Sequence, residues 1–167
     1  MTNQEIEKLQ EGLRSAHQAV LESLRGVSEA EAREVPEPGE WTVAQLMAHI
    51  AEIQSFWMGK AVLITQVEDP NITRSDVEND LRRAAVADHS QDSLTELNQA
   101  LADANAAAIA ATGSIDSKDL TRPGHRGEGN PMNVAGVISY LIGHVEEHAR
   151  QITLSRSIIQ AKNQAAG

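Results

Sequence analysis

His144 and His148 stand four residues apart in the segment His144-Val145-Glu146-Glu147-His148. On a helix that spacing puts two imidazoles on one side, about one turn or roughly 6 Å apart, so both can reach a single ion. Neutral imidazole is a ligand for zinc, nickel and other late transition metals, and a third histidine from another helix would leave coordination positions open to water or substrate. His49 is the third candidate. It lies at the edge of an apolar stripe between Leu46 and Ile53, facing inward, where a histidine needs a hydrogen bond or a metal. The spacing of His144 and His148 suits two partly exposed polar side chains equally well, so the pair alone does not define a site. His17 borders a different apolar stripe and reads as a core-edge residue, while His89 and His125 fall in segments read as loops.

The same segment matches the H-x-x-E-H pattern of inverted zinc peptidases, in which Glu147 would be the general base. Such an enzyme needs a further acidic ligand from a later helix, and none of the 19 residues after His148 is acidic. Glu147 therefore has competing readings as a solvated surface residue or as an acceptor that orients an imidazole. Glu52, three residues after His49, has the same standing. No Gly-rich phosphate loop, G-x-S-x-G elbow or Walker motif occurs.

Composition narrows the chemistry. With no cysteine there is no disulfide, thiolate ligand or cysteine nucleophile, so a metal site must use nitrogen and oxygen. A formal charge of -10 and only 2% aromatic residues argue against nucleic acid as a partner. The first ten residues place Glu5, Glu7 and Lys8 where a signal peptide would carry an apolar run, and no stretch approaches membrane-spanning length. The sequence reads as a soluble cytoplasmic protein with no membrane partner.

Positioning these histidines falls to helices. Thr2 and Glu5 form a capping pattern ahead of Ile6, Leu9, Leu13, Ala16, Val20 and Leu24, which predicts a first helix from Asn3 to Arg25. Ser28 and Glu31 open a short helical connector that Pro36, Pro38 and Gly39 stop. Thr42 and Gln45 cap a second long helix that carries His49 and ends before Asp69, Pro70 and Asn71. Ser75 with Glu78 caps another short helix, and Ser93 with Glu96 begins a third long one through an alanine tract, Ala104 to Ala111, that would admit a close neighbour. Gly113 ends it. Thr121 to Pro131 reads as a loop able to fold over a cleft, and Asn133 caps the fourth long helix, with Val134, Val137, Ile138, Leu141, Val145, His148 and Ile152 on one face. Trp41-Thr42-Val43-Ala44 and Met132-Asn133-Val134-Ala135 give the two histidine-bearing helices similar starts. No segment alternates as a sheet strand, so the prediction is an all-α four-helix bundle with short extra helices, one domain over 1–160 and a polar, fraying tail over 161–167.

Gly39-Glu40-Trp41-Thr42-Val43-Ala44-Gln45-Leu46 leading to His49, followed by His144-x-x-x-His148 and Gln151-Ile152, resembles the DinB/YfiT-like superfamily across nearly the whole chain. The resemblance implies a four-helix bundle in which His49, His144 and His148 bind a divalent ion, nickel or zinc, with solvent completing the shell. It also implies a homodimer and a metal-dependent transferase that uses a low-molecular-weight thiol such as mycothiol or bacillithiol; the lack of cysteine fits a thiol supplied from outside. The alternatives are a hydrolase that activates water, with Glu147 or Glu52 as base, and a non-catalytic metal or small-ligand binding protein of stress physiology. Residues 66–91 and 121–131 align with nothing in the family pattern and are expected to line the substrate entrance.

Overall fold

The computed structural model describes residues 3–165, so the Thr2 cap lies outside the described residues. The chain folds into α1 (Asn3–Ser23), α2 (Glu29–Arg33), α3 (Val43–Gln66), α4 (Asp76–His89), α5 (Leu94–Ser114), a 3-10 turn (Ser117–Thr121), strands β1 (Pro123–His125) and β2 (Pro131–Asn133), and α6 (Val134–Ala165). The predicted caps close three of these helices: Thr42 with Gln45, Ser75 with Glu78 and Ser93 with Glu96 are complete capping boxes. At Ser28 only half of the box forms. The hydroxyl accepts from the Glu31 amide at 3.1 Å, but the Glu31 carboxylate accepts instead from Arg156 Nε at 2.7 Å and Gln160 Nε2 at 3.2 Å, because α6 passes within reach.

Four long helices form the bundle, α1 and α5 each packing on a neighbour that carries histidine and on each other, while α3 and α6 lie side by side. Leu13 of α1, Leu46, Ile50 and Ile53 of α3, Leu97 and Leu101 of α5, and Ile138 and Leu141 of α6 fill the centre at 2% exposure or less. A fully buried Leu or Ile contributes about 1.5–3 kcal/mol, so this shared core fixes how α3 and α6 face each other. α4 packs on the outside of α3.

Two expectations need correction. The 121–131 loop contains an antiparallel hairpin, Gly124 opposite Met132, which also joins the α3–α4 connector: Ile72 N donates to His125 O at 2.8 Å and His125 N to Pro70 O at 3.0 Å. Three-residue strands are too short to show alternation, and their partner lies some fifty residues earlier in the chain. Of the tail expected to fray over 161–167, the described residues 161–165 are helical, since α6 runs to Ala165. Its polar side chains grip the α2 region, with Asn163 donating to Glu34 at 3.2 Å and Lys162 bonding Pro36 O and pairing with Glu37. Among the described residues no helix is long and apolar enough to cross a membrane.

Candidate metal centre

His49 sits two turns into α3, and His144 and His148 sit on successive turns of α6. Packing α3 against α6 brings the rings together, with centroid separations of 4.8 Å for His49 and His148, 4.8 Å for His144 and His148, and 6.1 Å for His49 and His144. A ring nitrogen from each lies within 4.8 Å of one from the others, a set that could hold a metal ion. Tetrahedral ligands at roughly 2.1 Å from an ion stand about 3.4 Å apart, a difference that small ring rotations close.

The polar accounting fits that group. His49 Nδ1, His144 Nδ1 and His148 Nε2 are buried without a hydrogen-bond partner. An unsatisfied buried polar atom costs about 1–3 kcal/mol, and three on facing side chains make a donor set rather than a packing accident. The other nitrogen of His148, Nδ1, lies 3.0 Å from Gln151 Oε1. Donating its proton to that amide oxygen leaves Nε2 with a free lone pair, which is how a neighbouring acceptor usually fixes a ligand tautomer.

Burial, more than any charge, keeps the rings neutral. It pushes His49 down to about 3, with help from His148, His144, Arg82 and Arg74. It pushes His144 down to about 4, with His148 and Arg126 adding to the shift and Glu147 opposing it. His148 is lowered by burial against the pull of Gln151 and Glu147. All three are unprotonated near neutral pH, the form that binds metal.

The histidines open on a cavity of about 650 Å³. Trp41 packs edge-on to His49 at 4.9 Å, and Tyr140 edge-on to His144 at 5.4 Å and to Trp57 at 5.0 Å. The rest of the wall includes Gly39, Glu40 and Gln151, together with Thr73, Arg74, Asn79 and Arg82 from the α3–α4 connector and α4, and Arg126 from the hairpin. Residues of both connecting segments, 66–91 and 121–131, thus line the cavity. Sequence reasoning did not place these arginines at the cavity, because nothing in a polar connector says which way it folds. Tyr140 was legible in principle, lying one helical turn before His144 on the same face.

The two candidate carboxylates differ in setting. Glu52 accepts from Arg74 through two bonds, 2.7 and 3.2 Å, and its Oε2 is 3.8 Å from His49 Nδ1. Glu147 is exposed and pairs with Arg150 at 2.6 Å. Neither lines the cavity. The other histidines stay apart from it: His17 is half-buried on α1, His89 ends α4 with Asp92 at 2.9 Å, and His125 is on β1 with Asp69 at 3.3 Å, so the last two belong to regular elements rather than loops.

Fold and site together define a class, the helical bundles that present an open three-histidine group in a pocket. Residues 12–152 match the DinB superfamily, and the chain belongs to that superfamily. Among solved structures, YfiT from Bacillus subtilis, a probable metal-dependent hydrolase with an unusual four-helix bundle topology, superposes with a TM-score of 0.77 at 14% identity, over 96% of this chain and 90% of YfiT. The mycothiol-dependent maleylpyruvate isomerase aligns with a TM-score of 0.73 at 18% identity, over 88% of this chain but 60% of the isomerase, so this chain spans about three fifths of that protein. A conserved protein from Enterococcus faecalis gives a TM-score of 0.68 at 17% identity, over 93% of this chain and 96% of the other. At these identities the likeness carries the fold alone. A comparison with curated proteins finds no match.

Proposed function

We propose that this protein is a divalent-metal-dependent enzyme acting on small molecules, with nickel or zinc held by His49, His144 and His148, and that it transfers a low-molecular-weight thiol to an electrophile. The observation that carries the reading is the set of three buried, unpartnered ring nitrogens at the wall of a 650 Å³ cavity. The mycothiol dependence of the isomerase supports a thiol as co-substrate. A bound ion would supply Lewis-acid chemistry, lowering the pKa of a thiol or water in its open coordination positions.

The chain's own residues supply position and dryness. Gln151 sets the His148 tautomer, and Glu52, held by Arg74, stands beside His49 with its Oε2 3.8 Å from His49 Nδ1. Trp41, Trp57 and Tyr140 keep water from that wall of the cavity. Glu52 is accordingly a positioning residue in this reading, and Glu147 would act as a base only after leaving Arg150. The homodimer belongs to the same proposal and is checked by sedimentation.

A hydrolase is the second reading, favoured by the description of YfiT. Metal content measured on purified protein should approach one ion per chain and fall close to zero in His49→Ala, His144→Ala and His148→Ala. Equal content in all four proteins would sink the site. With metal present, thiol consumption beside an electrophile should stop on adding chelator, whereas chelator-sensitive ester or amide cleavage without thiol would favour the hydrolase.

A further inference from the structure

The charge on the cavity wall runs against that of the molecule. In a chain of net charge -10, three arginines line this cavity and one carboxylate, the exposed Glu40, accompanies them. Arg74 is neutralised by Glu52. Arg82 and Arg126 have no carboxylate partner among the described residues, although acidic side chains are abundant on the surface and most other arginines pair with one. Both are half-buried.

Arg126 is held rather than free to wander. Its guanidinium lies over the rings of Tyr140 and Trp57, at 4.9 and 5.1 Å, and Trp57 is 4% exposed. A cation–π contact uses none of the hydrogen-bond acceptors a guanidinium can reach, so its N–H groups stay available to a carboxylate, which they match in two parallel bonds. The hairpin beneath it is fastened to the connector that leads into α4, where Arg82 lies. The two cations therefore share one wall built by tertiary contacts.

We infer that this cavity binds a small organic carboxylate through Arg82 and Arg126, with the far end of the molecule directed at the three histidines. The orientation toward the histidines rests on the enzyme reading above; the carboxylate subsite does not.

Succinate is the probe, with the neutral diol of the same chain length as its control. Metal-stripped, chelator-free protein and zinc-loaded protein are each titrated by calorimetry at low salt. Succinate should bind saturably in at least one form and the diol in neither. Affinity should drop at least about tenfold in the Arg82→Gln/Arg126→Gln double variant, the loss expected when charge-assisted hydrogen bonds are removed. Arg126→Lys, which keeps the charge but not the planar fork, should fall in between. Arg83→Gln removes the same charge from the outer side of α4, where it pairs with Asp80, and should bind like the parent. Circular dichroism confirms folding of each variant. Absence of succinate binding in both forms, equal binding of the diol, or equal loss in Arg83→Gln overturns the inference. Succinate binding that depends on the two arginines in a protein that takes up no metal would uphold the subsite and reject the enzyme reading.

Discussion

His148 shows how one side chain is prepared for a ligand. Its Nδ1 is committed to Gln151 Oε1 at 3.0 Å, and its Nε2 is buried with nothing to bond. Gln151→Ala removes the acceptor, frees the ring to turn and allows the other tautomer. Metal affinity should then weaken by about 10–100-fold, read by competition with a chromophoric chelator, while the fold survives because Gln151 is only half-buried. Undiminished affinity would leave the glutamine without a role in the site. Sequence alone placed His49, His144 and His148 as candidates, because one-turn spacing and an inward stripe are local properties. It left Gln151 as part of a pattern without a task, since a hydrogen bond is a matter of rotamers.

At the level of elements, the helices follow from local signals and the hairpin does not. Serine and threonine caps begin α3, α4 and α5 at the expected residues. The hairpin exists because Gly124 lets β1 lie directly on α3: a Cβ there would stand 2.9 Å from Ile64 Cγ1 and 3.3 Å from Pro70 O. Ile64 is fully buried and cannot easily withdraw. Gly124→Ala should therefore cost about 1–3 kcal/mol, the usual range for overpacking, and lower the melting temperature by several degrees in a calorimetric scan. A melt unchanged within a degree would mean that the hairpin does not press on α3. The same contact carries Arg126 to the cavity, so the missed strands and the missed arginine have one cause, a partner distant in sequence.

Taken whole, the protein keeps three neutral imidazoles inside an acidic molecule, and its stability should register them. Folded, His49 and His144 are pushed down to about 3 and about 4, against 6.5 for the unfolded side chain. The unfolded chain thus holds more protons throughout that interval, and stability of the metal-free protein, complete above about pH 6.5, should fall as the pH drops toward 4. Urea midpoints between pH 7 and 4.5 should decline, and the decline should shrink in His49→Asn; equal slopes in the two proteins would show that His49 titrates freely. Helical periodicity, capping boxes and the lack of cysteine, all properties of neighbouring residues, determined from sequence alone that this is a helical bundle with a nitrogen-rich candidate site. Only the tertiary structure decided that His49 meets His144 and His148, that the polar connector and the hairpin close a cavity over them, and that its wall is cationic. Those outcomes depend on how buried faces of distant segments pack, and periodicity says that a face is buried without saying against what.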